Sequence, residues 1–249
     1  MGLPDELSRA LDAAAAAPRL LVTSDFDGTL APIVNNPADA RPLDQAADAL
    51  VALAELPHTA TALISGRALE VLRSLSGMPP TVHLVGSHGA EFTSGFSHDI
   101  DRALLDRITG ELREIAEGRP GVTVETKPAS VALHVRNASP EDSQRALASA
   151  RAASEAWDAH TTAGKAVLEF AVIQTDKGEA VDILRAQEDA DVVVFLGDDV
   201  TDEKAFRRLR AGDVGVKVGP GDTLAGYRVE SPEDAAAALG YLLGRRRAR

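Results

Sequence analysis

Two aspartates, Asp25 and Asp27, follow directly on an apolar run in the segment LLVTSDFDGTL, residues 20–30. Two carboxylates held this close raise each other's pKa or require a cation between them, and oxygen ligands favour Mg²⁺. In such a site one carboxylate can attack as a nucleophile while its neighbour transfers a proton. Gly28 after the pair permits a tight turn. A purely structural alternative is that Asp27 only caps an ordinary turn.

A second candidate element is Ser65, Gly66 and Arg67, which end the apolar run TALIS and precede a helical stretch. Small residues between a buried strand and a helix leave backbone N–H groups free to bind a phosphate. Ser65 could equally serve as a helix cap and nothing more.

Lys177 is a third candidate because it opens the helical stretch in QTDKGEAVDIL, residues 174–184. A cation in the first turn opposes the helix dipole, and such departures from local rules concentrate at functional sites. We therefore interpret Lys177 as a residue that holds a phosphate oxygen and offsets the carboxylates. The alternative is an ordinary solvated lysine.

A dense acidic turn, GDDVTDE, follows the apolar run VVVFLG at residues 192–197. Its acidic residues are Asp198, Asp199, Asp202 and Glu203, and two of them can complete an oxygen shell for Mg²⁺, directly or through water. A helix start explains Asp202 and Glu203 without any metal. It does not explain the adjacent pair Asp198 and Asp199.

The elements that must position these groups form an α/β fold. The three apolar runs are continuous rather than alternating, which is typical of parallel strands buried on both faces, and helical stretches separate them. Ligands bind beyond the carboxyl ends of such strands, so the polar groups should share one crevice. The predicted fold is a Rossmann-like core, a parallel sheet flanked by helices, with an inserted smaller α/β domain.

The predicted core comprises residues 1–94 and 171–249, and the insertion comprises residues 95–170. Within the insertion, the segments GVTVETK, SVALHVRN and GKAVLEFAV are predicted strands, and two helical stretches accompany them. The strand period places polar side chains on one face of this small sheet: Glu125, Lys127, Ser130, His134, Arg136, Lys165 and Glu169. Mixed donors and acceptors suit a polyhydroxylated sugar, although an ordinary solvated sheet face has the same pattern.

Composition limits the partners. The net charge of −12 disfavours nucleic acid and anionic membranes, so we expect neither as a partner. There is no cysteine, which rules out thiol chemistry and disulfides. No signal-peptide pattern is present, and no apolar run approaches the ~18 residues of a membrane span. We expect a soluble cytoplasmic monomer acting on a small molecule.

Taken in chain order, DFDGTL, the strand-end serine, the helix-start lysine and GDD resemble the haloacid dehalogenase superfamily of phosphotransferases. A narrower resemblance covers nearly the whole chain. ETKPASVALHVR, GKAVLE, GSHGAE (86–91), DKG and GDDVTDE are together similar to trehalose-6-phosphate phosphatases.

This resemblance implies Mg²⁺-dependent hydrolysis of trehalose 6-phosphate to trehalose and phosphate through an aspartyl-phosphate, the last step of trehalose biosynthesis. It makes Asp25 the nucleophile and Asp27 the acid and base, with Ser65 and Lys177 holding the phosphoryl oxygens. The implied metal residues are Asp25, Asp27 (through its carbonyl), Asp198, Asp199 and Asp202. The implied substrate contacts are Gly66, Arg67, His88, Glu125, Lys127, Ser130, His134, Arg136, Lys165 and Glu169.

Two alternatives stay open at this stage. One is a phosphatase for another sugar phosphate, such as sucrose phosphate or a hexose phosphate. The other is a non-catalytic module that binds a phosphorylated sugar and regulates a partner. The presence of Asp25, Asp27, Lys177 and Asp198 together disfavours the second.

Overall fold

The computed structural model describes residues 3–249, which form two compact units. The first unit runs up to Ser97 and resumes with Thr175–Arg249, and the second is His98–Gln174. Among the described residues, no helix is both long enough and apolar enough to cross a membrane.

The strands and helices are numbered in chain order. The strands are β1 Leu20–Ser24, β2 Thr59–Ile64, β3 Val82–Gly86, β4 Glu91–Phe92, β5 Gly95–Phe96, β6 Thr123–Thr126, β7 Ser130–His134, β8 His160–Gly164, β9 Val167–Ala171, β10 Val192–Gly197, β11 Val214–Val218 and β12 Tyr227–Val229. The helices are α1 Asp5–Ala15, α2 Asp44–Ala54, α3 Leu69–Ser76, α4 Arg102–Ala116, α5 Pro140–Ser154, α6 Lys177–Gln187, α7 Glu203–Arg208 and α8 Pro232–Arg247. Short 3₁₀ turns lie at Pro37–Asp39 and Ser87–Gly89.

The first unit is built on one sheet with the strand order β12-β11-β10-β1-β2-β3-β4-β5. The strands from β12 to β3 are parallel, and the two short strands β4 and β5 extend the edge antiparallel. The predicted parallel sheet is therefore confirmed. Since β1 lies between β10 and β2, the residues that follow these three strands emerge at one edge of the sheet.

Both faces of the central strands are buried. On β1, Leu20 and Val22 pack into a cluster with residues of α1, α2, α3 and α8, while Leu21 packs on the opposite side with α6 and α7. On strand β10, Val194 packs into the same cluster as Leu20 and Val22, and Phe195 packs into the same cluster as Leu21. Such two-sided burial is the reason these strands are continuously apolar in sequence.

The second unit is an antiparallel sheet in the order β6-β7-β9-β8. Its apolar face packs on α4 and α5. Phe170 meets the Trp157 ring edge to face, with the ring centres 4.9 Å apart. The buried residues of this cluster include Ile108, Leu112, Val131, Leu133, Ala146, Ala150 and Leu168.

The prediction of one strand beginning at Gly164 was wrong. Gly164 ends β8, and Lys165 and Ala166 form the turn that leads into β9, with Ala166 in the left-handed region at φ 62°. Strand β8 was not predicted because its sequence, HTTAG, is polar and largely exposed, so no apolar pattern marks it.

Candidate active site

Three carboxylates, those of Asp25, Asp198 and Asp202, meet beyond the carboxyl ends of β1 and β10. One oxygen from each lies within 4.8 Å of the others. The Asp25 backbone N–H donates to the Leu196 carbonyl at 2.9 Å, which holds the end of β1 against β10. The neighbouring parallel strands are therefore what brings Asp25 to the acidic turn.

Lys177 joins two of these carboxylates. Its Nζ lies 2.7 Å from Oδ1 of Asp25 and 2.7 Å from Oδ1 of Asp202, and the side chain is only 2% exposed. The lysine is the first residue of α6, which Asp176 caps by accepting the Glu179 N–H at 3.0 Å. The solvated-lysine alternative is thus wrong, because the helix start points Lys177 into the acidic cluster.

Burial controls the charges in this cluster. Desolvation, with a smaller contribution from repulsion by Asp198, raises the pKa of Asp25 to about 6 against the attraction of Lys177. Desolvation, followed by repulsion from Asp25, likewise raises the pKa of Asp202 to about 6. Although burial lowers the pKa of Lys177, the two carboxylates raise it overall. These carboxylates need more positive charge than one lysine supplies.

The donor set fits a divalent cation. All three groups offer carboxylate oxygens, the ligands that hard cations such as Mg²⁺ prefer. Asp202 also holds the turn itself, since its Oδ2 accepts the backbone N–H groups of Asp198 at 3.0 Å and Asp199 at 2.9 Å. Lys217 on β11, a buried residue that sequence reasoning missed, donates to the Asp198 carbonyl oxygen.

Gly28 and Thr29 pack directly against Asp198. A Cβ at Gly28 would lie 2.1 Å from Oδ2 of Asp198, and the glycine has φ 81°. Thr29 donates from Oγ1 to Oδ1 of Asp198 at 3.1 Å. The two residues after the aspartate pair therefore leave room for the Asp198 carboxylate and orient it.

Two predicted metal residues have their carboxylates outside this cluster. Asp199 accepts the N–H of Val200 at 2.7 Å. Asp27 forms a two-bond ion pair with Arg67, whose Nε and Nη2 lie 2.7 and 2.6 Å from the two carboxylate oxygens. This contact raises the pKa of Arg67 and places a predicted substrate residue on the predicted acid.

Ser65 follows β2, the strand next to β1, and is buried. Its Oγ accepts the Arg67 N–H at 3.2 Å, but α3 begins at Leu69, so this contact closes a turn before the helix. Gly66 lies under the ring of His88, because a Cβ at Gly66 would be 2.4 Å from Cε1 of that ring. The structure thus brings residues 65–67 and His88 together.

The polar residues of the second unit contact one another on their sheet. Glu169 accepts from Lys127 Nζ at 3.0 Å and from Ser130 Oγ at 2.6 Å. A second pair joins Glu125 and His134 at 2.8 Å. The other two predicted residues of this set lie in turns rather than strands: Arg136 and Lys165.

The raised carboxyl pKa values predict that stabilisation by a divalent cation depends on pH. At pH 5, Asp25 and Asp202 are mostly protonated and bind a cation weakly, whereas at pH 7.5 they are charged. Their folded pKa of about 6 exceeds the ordinary 3.8, so without metal their contribution to stability is lost as pH rises through 6. Saturating Mg²⁺ should raise the melting temperature by about 5 °C or more at pH 7.5.

The measurement is differential scanning calorimetry at pH 5 and pH 7.5, with NaCl of equal ionic strength as the control. At pH 5 the shift should nearly vanish. An equal shift at both values would contradict a cation site made of these carboxylates.

The parallel sheet, the aspartate pair after β1, Lys177 at a helix start and the acidic turn after β10 define a protein of the haloacid dehalogenase class. The model of the trehalose-phosphatase family matches residues 23–233. The chain belongs to this family, for which a divalent metal is implied, and the acidic cluster is the group of described residues that could hold it.

Individual relatives agree. The trehalose-phosphate phosphatase of Mycobacterium marinum is 35% identical over 260 residues, covering 97% of this chain, and this chain spans only 64% of that relative's length. A structure of Aspergillus fumigatus trehalose-6-phosphate phosphatase superposes with a TM-score of 0.73 at 28% identity, covering 98% of both chains. The Candida albicans trehalose-6-phosphate phosphatase C-terminal domain gives 0.70 at 27% identity, covering 98% of this chain and 97% of its own.

Proposed function

We propose that this protein hydrolyses trehalose 6-phosphate to trehalose and phosphate with Mg²⁺ as cofactor, the last step of trehalose biosynthesis. The observation that carries the proposal is the buried Asp25 carboxylate, paired with Lys177 and clustered with Asp198 and Asp202 in a chain of the trehalose-phosphatase family. The cytoplasmic location and the monomeric state stay predictions from the sequence.

In the first step an Asp25 oxygen forms a bond to phosphorus while the bond from phosphorus to the sugar oxygen breaks. Asp27 supplies the proton that the departing sugar oxygen takes up. In the second step Asp27 accepts a proton from water, whose oxygen attacks phosphorus and releases Asp25. The products are trehalose, inorganic phosphate and the original carboxylate.

Lys177 and the loop of residues 65–67 stabilise the phosphoryl oxygens. The Lys177 ammonium already contacts the attacking carboxylate at 2.7 Å, so it lies beside the position that the phosphoryl group reaches. Mg²⁺ held by Asp25, Asp198 and the Asp27 carbonyl, with Asp199 and Asp202 in support, would neutralise charge on the phosphoryl oxygens.

Both carboxylate oxygens of Asp27 accept hydrogen bonds from the Arg67 guanidinium in this structure. Asp27 can donate a proton only when at least one of these oxygens is protonated. We therefore propose that the contact between Arg67 and Asp27 changes during the catalytic cycle, and that Arg67 then binds the substrate.

Substrate choice belongs, in this proposal, to the polar residues of the second unit. The network of Glu169 with Lys127 and Ser130, and the pair of Glu125 with His134, offer hydrogen-bond donors and acceptors to sugar hydroxyls. Arg136 and Lys165 of the same unit add further donors. His88 is a donor of the first unit, next to Gly66. A disaccharide has enough hydroxyl groups to contact several of them at once.

The direct test is phosphate release, with and without Mg²⁺, from trehalose 6-phosphate, sucrose 6-phosphate, glucose 6-phosphate and p-nitrophenyl phosphate. We expect Mg²⁺-dependent release with the highest kcat/KM for trehalose 6-phosphate. A higher value for another sugar phosphate would reassign the substrate. Tight binding of trehalose 6-phosphate without turnover would indicate a non-catalytic module.

Glu169→Ala tests the role of the polar face. Loss of a charged hydrogen-bonding group should lower kcat/KM for trehalose 6-phosphate by about 100-fold. The value for p-nitrophenyl phosphate, which has no sugar hydroxyls, should stay within about threefold. Glu141→Ala, which removes an exposed carboxylate of α5, is the matched control. Equal losses on both substrates would argue that this face does not select the sugar.

A further inference from the structure

Glu91 is a buried carboxylate that the proposed mechanism does not use. It is 6% exposed and makes two hydrogen bonds, to the Leu69 N–H at 2.9 Å and to the Ser87 hydroxyl at 2.6 Å. We propose that Glu91 is a positioning residue that holds residues 65–67 in the shape that binds the phosphoryl group. The proposal rests on the proposed function, because phosphate is the group that this loop is taken to hold.

The first bond anchors the start of α3. Ala68 is the N-cap residue of this helix and has no side chain that could accept a hydrogen bond. Oε2 of Glu91 accepts the N–H of Leu69 instead, so a distant carboxylate does the work of a cap and lies favourably at the positive end of the helix. The chain entering α3 is thereby held just after Arg67.

The second bond supports a strained turn. Ser87 and His88 both have left-handed backbone angles, with φ of 49° and 56°, which non-glycine residues adopt only when their surroundings enforce it. Oε1 of Glu91, at the start of β4, accepts from the Ser87 hydroxyl and so holds the turn. One carboxylate thus joins the turn of residues 87–88 to the start of α3.

The strained turn is hydrogen-bonded directly to residues 65–67, the loop proposed to bind the phosphoryl group. The Ser87 N–H donates to the Arg67 carbonyl at 2.7 Å, and the His88 N–H donates to the Ser65 carbonyl at 2.9 Å. These bonds pair the backbone of residues 65–67 with residues 87–88. If the left-handed turn relaxes, the N–H groups that bind the carbonyls of Ser65 and Arg67 move. The Arg67 guanidinium would then lose its alignment on Asp27.

The backbone around this turn is closely packed against α3 and against the residue before α6. A Cβ at Gly86 would lie 2.4 Å from the Leu69 nitrogen, and a Cβ at Gly89 would lie 2.6 Å from the Asp176 carbonyl oxygen. Asp176 immediately precedes Lys177. The loop that Glu91 anchors therefore contacts both elements proposed to hold the phosphoryl group, and a displacement of about 1 Å here can lower turnover 100-fold.

The experiment compares the unmodified protein with Glu91→Ala, Glu91→Gln and the matched control Glu70→Ala, which removes an exposed carboxylate from the first turn of α3. Three quantities are measured with Mg²⁺ present: kcat and KM for p-nitrophenyl phosphate, the inhibition constant of inorganic phosphate, and the rise in melting temperature caused by Mg²⁺. The last quantity reports on carboxylates to which Glu91 makes no hydrogen bond.

For Glu91→Ala we expect kcat to fall about 100-fold and phosphate inhibition to weaken about tenfold, with the Mg²⁺-induced temperature shift retained. Glu91→Gln keeps an acceptor for Leu69 and a partner for Ser87, so it should recover most of both losses. Glu70→Ala should match the wild type. Values within twofold of wild type for Glu91→Ala, or equal losses in both Glu91 variants, overturn the proposal.

If Glu91→Ala does not fold, Ser87→Ala is tested instead, because it removes one of the two hydrogen bonds of Glu91. An inhibition constant of phosphate within twofold of wild type then overturns the proposal. A threefold or greater weakening of phosphate inhibition supports it. If phosphate inhibits the wild type and Glu91→Ala has unchanged kcat and phosphate inhibition, the role of Glu91 is refuted but the proposed function is not. A wild type that neither hydrolyses the substrates nor is inhibited by phosphate refutes the proposed function, and this proposal with it.

Discussion

Asp25→Asn is expected to lower Mg²⁺-dependent turnover of trehalose 6-phosphate by about 10⁴-fold or more. The amide has nearly the shape of the carboxylate, but its oxygen is a far weaker nucleophile toward phosphorus, and the ion pair with Lys177 at 2.7 Å is lost. Lys177 keeps its contact with Asp202, so the buried ammonium stays paired and the protein should remain folded. Phosphate release and thermal unfolding measure the two effects.

Asp39→Asn is the matched control, since Asp39 lies in the exposed 3₁₀ turn Pro37–Asp39 and should leave turnover within about twofold. Residual turnover of Asp25→Asn above a few per cent of the wild-type value, in protein free of deamidated material, would rule out Asp25 as the nucleophile. The same result with Asp198→Asn inactive would point to metal binding as the main role of the cluster.

Lys177→Met is expected to have the second largest effect, a loss of about 10³-fold in kcat together with lower stability. Methionine has a similar length but no charge, so Asp25 and Asp202 lose the cation that lies 2.7 Å from each. Breaking a buried ion pair on one side costs about 3–5 kcal/mol of unfolding free energy. Urea unfolding with and without Mg²⁺ measures this cost, which added Mg²⁺ should partly offset.

Lys204→Met provides the comparison, because the Lys204 side chain is 58% exposed and its ion pair with Asp176 is long at 4.0 Å. That variant should be close to wild type in both measurements. If Lys177→Met retained kcat within tenfold of the wild type while losing stability, Lys177 would be a structural counter-ion and Ser65 would have to hold the phosphoryl group without it.

The strands at residues 20–24 and 192–197 could be predicted because burial on both faces leaves a continuous apolar run in the sequence. Not every strand leaves such a signal. Strand β8 is exposed and polar, and backbone pairing with β9 alone makes it a strand. The turn at Ala166 was missed because a left-handed backbone at alanine has no signal in residue type.

Local chemistry by itself determined the candidate residues: Asp25 at a strand end, Lys177 at a capped helix start, and an acidic turn after an apolar run. Only the tertiary structure decided how they combine. The strand order β10-β1-β2 selects Asp198 and Asp202 as partners of Asp25, and it places Asp27 against Arg67 rather than in the cluster.

The roles of Lys217 and Glu91 likewise emerge only in three dimensions. Lys217 contacts a backbone group 19 residues away in the chain, and Glu91 contacts one 22 residues away. The physical reason is that periodicity and capping act over a few neighbouring residues, whereas these contacts depend on which strands pair and in what register. Residue types and their order therefore sufficed to select the candidate residues, while the pairing of their charges required the folded sheet.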